Sequence, residues 1–339
     1  MLFLIAKRLL LIVVVLAGMS VITFGLTRII PGDPARLLAG PEARAEQVEA
    51  LRQQYGLDKP VLTQYIDYIG GLFHGDFGQS LTTRRPVTED FAEFVPATVE
   101  LTAAALLLIV FIGIPLGFLS ARRPNGVLDH FSRILTVAGM SMPVFWLGVL
   151  FQIMFFKWLA ILPSGGRLGL IESAPPHVTG LYTVDSLLAG DFGLFKSAVI
   201  HLILPAFTLA LASLATITRV SRAAVIGVLR TDYVRTAYAR GLSERQVTTR
   251  HVFKNAMIPT VTVLGMQIGI LLGGNLIVEA VFSWPGIGLY AVNAIKNLDF
   301  APIMGVMLIS AVAYVTVNLI VDLVYLLLNP RITYVREPG

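Results

Sequence analysis

Long stretches without Asp, Glu, Lys or Arg organise this chain. Six stand out: Leu9–Thr27, Leu101–Ala121, Ile134–Phe156, Ser197–Thr218, Asn255–Val278 and Pro302–Val321. A bilayer core about 30 Å thick is crossed by a helix of about 20 mostly apolar residues, and each run is near that length. The pattern predicts an all-α membrane protein with six transmembrane helices. Lys7 and Arg8 precede the first run, as in a secretory leader. That run is long for a leader and no small-residue cleavage signal follows it, so an uncleaved first helix is expected. Pro115, Pro143 and Pro205 fall inside spans, where each removes a backbone bond and can kink its helix. Gly113 and Gly117, and Gly265, Gly269 and Gly273, recur every four residues. That spacing lets helices approach closely, whether within the chain or against a paired subunit.

The segments between the spans carry their own periodicity. After the first span, Pro41 opens a helix-like run, EARAEQVEALRQQY, with Gly56 as its stop. After Pro60, Val61, Leu62, Tyr65, Ile66, Ile69, Leu72 and Phe73 stand at helical spacing. The segment Leu162–Lys196 is punctuated by Pro, Gly and Ser and reads as loop with short helices. The expected organisation is a first span in residues 1–30 and a helical extracytoplasmic segment in 31–96. A five-helix core follows in 97–330, with a cytoplasmic loop at 219–254, and a tail in 331–339.

Charge sets the orientation. The segment Arg219–Lys254 holds eight basic and two acidic residues, whereas Pro31–Pro96 holds six basic and ten acidic. Basic loops stay on the cytoplasmic side, which places both termini there. Across all 339 residues, 55% are apolar and 14% charged, with a net charge of +5; a soluble domain averages about 25% charged. There is no cysteine, which excludes disulfides, a thiolate nucleophile and Cys-ligated metals.

The cytoplasmic loop is the most structured of the connections. Thr231 is a candidate N-cap for a short helix through Arg240. Gly241 suits the left-handed position that ends it. Ser243 and Gln246 form an S-x-x-Q capping box that starts a second helix running toward Ala256. Arg235, Arg240, Arg245, Arg250 and Lys254 decorate this bent element, whose compact shape suits docking in a groove on a partner protein. The same charges also suit topology and anionic lipid.

This stretch resembles the EAA loop of binding-protein-dependent ABC-importer permeases. Arg235, Thr236 and Ala237 stand at the E-A-A positions and Gly241 at the glycine, with His251, Phe253 and Lys254 at the following I, L and P positions. DYVRTAxAxGL followed by HxxxNAxIP has the form of the peptide/nickel branch. IPGDPA, YGLDKP, GDFGQSL, SMPVFWLG, FSWPGIG and NPRI resemble the same branch, from Ile30 to Ile332. The look is that of the first permease subunit of a dipeptide or oligopeptide importer in a bacterial inner membrane. The resemblance implies a second homologous permease, two ATPase subunits that bind ATP and Mg, and an extracytoplasmic substrate-binding protein. It implies contact with an ATPase subunit through Arg235, Thr236, Ala237, Arg240, Gly241, Leu242, Ser243 and Glu244. Family members also carry glutathione or nickel.

The chain itself lacks a motor or enzyme signature. None of its six lysines follows a glycine, so no phosphate-binding G-K pair exists. No H-E-x-x-H or G-x-S-x-G occurs, and no catalytic residue, metal site or cofactor in this chain is expected. An intramembrane enzyme and a passive channel are the rivals from other classes. Polar groups at membrane depth are costly and often functional. Gln267, Asn275, Asn318 and Asp322 are the candidates for the pathway, with anchoring at a helix end as the other reading of Asp322. Glu100 and Glu279 stand at outer span ends, where solvation or pairing is expected, and His201 is expected to meet interfacial water.

Overall fold

The computed structural model describes residues 2–29, 34–40, 42–54, 56–273 and 276–328. It is built of helices; among the described residues the one β contact is an isolated bridge between Gln79 and Pro86. The first span is α1 (Leu2–Ile29), followed by α2 (Pro34–Ala39), α3 (Ala45–Gln54) and α4 (Val61–Phe73). The second comprises α5 (Val87–Leu108), a π-helical turn (Ile109–Gly113) and α6 (Ile114–Arg122). Then come α7 (Val127–Ser141), α8 (Val144–Phe151) with a π-helical extension (Gln152–Trp158), α9 (Tyr182–Leu188) and α10 (Phe192–Leu229). The remainder is α11 (Asp232–Ala239), α12 (Glu244–Gln246), a π-helical segment (Val247–Phe253), α13 (Lys254–Gly273), α14 (Leu276–Val281), α15 (Ile287–Lys296) and α16 (Phe300–Leu328).

Among the described residues, four helices are each long and apolar enough to cross a bilayer: Leu10–Thr27, Val87–Arg122, Phe192–Leu229 and Phe300–Val321. A fifth crossing results if Val127–Ser141 and Val144–Trp158, bent by 111°, form one span. The expected run Asn255–Val278 falls on α13 and the start of α14; residues 274 and 275 between them lie outside the described residues. The expected run Ile134–Phe156 is not a straight rod. Met142 and Pro143 are extended, at ψ 134° and 137°, because the proline ring disfavours helical geometry in the residue before it. Pro115 is absorbed differently: it sits in the first turn of α6, directly after the π-helical turn, where a widened backbone tolerates the missing N–H.

Helix α10 is the spine. At 38 residues it is about 57 Å long, and its most apolar 18-residue stretch is 67% buried against 22% for Leu10–Thr27. Helices α5, α6, α7, α8 and α13 all pack on it. The central core joins Leu101, Ala105 and Ile109 of the second span to Leu204, Ala210, Leu214 and Ile217 of α10. Phe282 and Trp284, in the turn after α14, complete it, and the Trp284 indole N–H donates to the Ala97 carbonyl at 2.8 Å.

The four-residue glycine spacing is used inside the chain. A Cβ on Gly117 would lie 2.5 Å from the Thr218 carbonyl oxygen and 2.8 Å from Ser221 Cβ, so α6 rests backbone to backbone on α10. Gly265 and Gly269 likewise face Val321 and Tyr314 of α16. The Gly117→Leu variant should therefore lower the thermal unfolding midpoint in detergent, by about 1–3 kcal/mol of stability. Gly227→Ala, where an added methyl meets nothing, should not lower it.

Candidate functional site

Helix α11 is held by one apolar stripe. Val234 and Ala237, three residues apart, are buried with Ala121 of α6, Val225 of α10, and Val247, Val252 and Ala256 of the following rod. Three long helices thus meet under one short helix, with half-buried Leu242 packed on the same cluster. The opposite face exposes Tyr233, Arg235, Thr236 and Tyr238, with the Arg235 side chain 75% exposed. The turn behind it depends on Gly241 at φ +78°, where a Cβ would touch nothing. The requirement there is left-handed backbone, which glycine adopts without steric cost.

The capping box is present. Ser243 Oγ accepts from the Gln246 N–H at 3.4 Å, and Gln246 Oε1 accepts from the Ser243 N–H at 3.0 Å. Thr231 occupies the N-cap backbone position of α11, but its hydroxyl donates to the Val228 carbonyl at 2.6 Å and does not cap. The second helix continues to Ala256 and beyond it. From Glu244 it runs through the π-helical segment into α13 without a break, so the loop and the fifth expected span form one rod.

Charged side chains fasten this end of the bundle. Glu244 pairs with Arg122 at the end of α6. Asp129, in the first turn of α7, is fully buried. Its carboxylate accepts from Arg222 of α10 at 2.5 and 3.1 Å, from Arg133 at 2.7 Å and from the Asn125 N–H at 2.9 Å. The sequence reading missed both links. The Asp129–Arg133 spacing of four on a helix was the available signal; the partners across 93 and 122 residues left none.

The opposite end is fastened by carboxylates as well. Glu100 accepts from buried Arg167 at 2.6 Å and from the Thr183 N–H and hydroxyl, each at 2.7 Å. The Arg167 guanidinium lies 3.5 Å from the centre of the Tyr182 ring. Glu279 is fully buried rather than solvated, and among the described residues its partners are uncharged donors. It accepts from the Thr98 hydroxyl at 2.7 Å and from the Gly288 and Leu289 N–H groups at 2.7 and 3.0 Å. Those N–H groups open α15, where the unpaired donors of a helix start favour an anion. His201 is half-buried, its ring nitrogen 2.9 Å from the Ser197 carbonyl.

Of the four pathway candidates, Gln267 accepts from the Ser213 hydroxyl at 2.8 Å, joining α13 to α10. Asn318 lines a groove of about 200 Å³ with Leu11, Ile12 and Val15 of α1. The two therefore serve different helix contacts. Asn275 and the Asp322 side chain lie outside the described residues.

Comparison with known proteins gives a consistent result. Residues 113–334 match the family described as "Binding-protein-dependent transport system inner membrane component", and residues 1–102 match "Binding-prot-dependent transport system membrane comp, N-term". A probable D,D-dipeptide transport system permease protein of Escherichia coli (strain K12) is 49% identical over 321 residues, 95% of this chain and 94% of the relative. The di/tripeptide transport system permease protein of Pseudomonas aeruginosa (strain UCBPP-PA14) is 42% identical over 99% of this chain and 100% of its own. The glutathione transport system permease protein of E. coli (strain K12) is 38% identical over 97% of this chain and 98% of its own.

Asp185, in the segment before α10, provides a test of how the far end is ordered. Burial pushes its carboxyl up, but the Thr179 hydroxyl and the N–H groups of Thr179, Gly180 and Val178 outweigh this and hold it below its ordinary value. A lowered folded-state value stabilises above the ordinary carboxylate range and is lost as pH falls through it. Asp185→Asn should cost about 2 kcal/mol at neutral pH. The gap from the parent should close as pH drops below about 4, read by thermal unfolding across pH.

Proposed function

The chain belongs to the binding-protein-dependent transport system inner membrane components, and from that premise we propose that it is the first permease subunit of an ABC importer carrying dipeptides or oligopeptides. It is a multi-pass inner-membrane permease subunit. The peptide cargo is favoured because relatives matched over nearly the whole chain are named for dipeptide and di/tripeptide transport. The observation that carries the mechanism is the exposed face of α11 lying over the point where three long helices are packed together.

In this reading the termini are cytoplasmic and a binding protein delivers peptide to the outer end. A second homologous permease completes the path, and two ATPase subunits bind ATP and Mg. The exposed side chains Arg235, Thr236 and Arg240, with the Gly241–Glu244 turn, seat in a groove of one ATPase subunit. Closure of the ATPase pair pushes α11, and the buried Val234 and Ala237 pass that displacement to α6, α10 and α13. ATP shifts the equilibrium only by binding one arrangement better than the other, so the seat on α11 must differ between the two. Gln267, between α10 and α13, is placed to change partners as these helices part. Asn275, Asn318 and Asp322 remain the other polar candidates for the path.

The complete importer, reconstituted in vesicles, should show vanadate-sensitive, ATP-dependent uptake of a labelled dipeptide when its binding protein is present. Gly241→Val should reduce that uptake at least about tenfold while the subunit still inserts, because a β-branched residue is strained in left-handed backbone. Normal uptake by this variant would remove α11 and its turn from the mechanism. Glutathione uptake without dipeptide uptake would reassign the cargo, in line with the glutathione relative.

A further inference from the structure

From the geometry around Asp129 we infer that this residue is a positioning residue for transport: it makes the first half of the bent third span travel with α10. The inference deepens the importer reading and rests on it. Helix α7 has a largely apolar outer side, with Val127, Leu128, Phe131, Ile134 and Val137 exposed beside His130 and Arg133. Its inner side packs along α10, and two contacts mark the ends of that seam. At one end Gly139 lies against the Leu211 carbonyl, with 3.1 Å to an added Cβ. At the other, Asp129 grips Arg222 through both carboxylate oxygens while also holding Arg133 and the Asn125 N–H.

Packing alone would have sufficed to hold the helices together. A buried ion pair is on average no more stabilising than apolar residues of the same volume, whereas removing one partner leaves an unmatched charge. What the pair adds is a fixed register at one point on α10. Three residues further on, Val225 of the same helix is packed against Val234 and Ala237 of α11. Arg122 and Glu244 tie the preceding corner, α6, to the start of the rod that becomes α13. Helices α6, α7, α10, α11 and the start of the rod therefore form one body at this end. The third span turns by 111° at Met142 and Pro143, and α8 beyond the turn packs on α10 at another level. With Asp129 in place, motion of α11 is delivered to this corner; without it, α10 moves and α7 lags.

The test uses the complete importer in lipid nanodiscs and vesicles. The quantity read is dipeptide transported per ATP hydrolysed. Asp129→Asn should assemble, hydrolyse ATP, and lose about tenfold in that ratio, within the usual span of inter-site coupling. Asp129→Glu should restore most of it. Arg222→Gln should match Asp129→Asn, and the double variant should be no worse than either, as expected of one shared link. An unchanged ratio in Asp129→Asn would overturn the inference. So would transport and hydrolysis falling in equal proportion, which is the mark of a merely structural role.

A second readout does not depend on the cargo. The chain has no native cysteine, so nitroxide labels can be placed on this subunit at introduced cysteines replacing Val127 and Arg230. In the parent their separation should stay fixed between nucleotide-free and vanadate-trapped complexes, and in Asp129→Asn it should change. A parent distance that changes as much as the variant's would overturn the inference. Should no dipeptide cross even with the parent chain, the importer reading fails, while the label distances still decide the role of Asp129.

Discussion

The contact on which the rest of this bundle depends is the one between α6 and α10 at Gly117. No side chain stands between the two backbones there, so the second span can lie directly on the central helix. That closeness brings Ala121 to Val225 and opens the seat into which α11 drops Val234 and Ala237. It also carries the α6–α7 corner near enough to α10 for Asp129 to reach Arg222. In lipid, where apolar surface gives helices little reason to associate, such close approach is a principal source of attraction.

Charge is handled in the same way at both ends. Glu100, Asp129 and Glu279 are buried, and each has its oxygens occupied by several donors. Each ties elements far apart in sequence. The ends are thereby fastened by polar links, while the middle relies on apolar packing and a few hydroxyl bonds, Ser213–Gln267 and Ser221–Thr260 between α10 and α13 and Thr218 to the Gly113 carbonyl. A molecule that must change shape in the membrane can slide along the middle only if its ends stay intact.

Much of this was legible from the sequence, and the division follows range. The Gly241 corner and the Ser243–Gln246 box depend on residues a few positions apart and are found where the pattern placed them, and four of the six apolar runs fall on helices long enough to span. The break at Pro143 was also local, but its 111° turn is set by what α7 and α8 each pack against. The carboxylates were not legible. Glu279 looked like a solvated end because the donors that receive it belong to a turn ten residues later and to Thr98, 181 residues earlier. Arg167 stands in the segment read as loop with short helices, and its partner Glu100 is 67 residues away.

The continuity of α10 has an evolutionary corollary. It presents Ser213 to α13, the Thr218 carbonyl to α6, Arg222 to α7 and Val225 to α11, all from one uninterrupted helix. One inserted or deleted residue between Ser213 and Arg222 would swing every later side chain by about 100° around the axis, turning Arg222 away from its carboxylate. Substitutions along this helix can be absorbed one at a time, but its count of residues cannot drift. Changes in length should accumulate instead in the connections that α10 does not have to keep in phase.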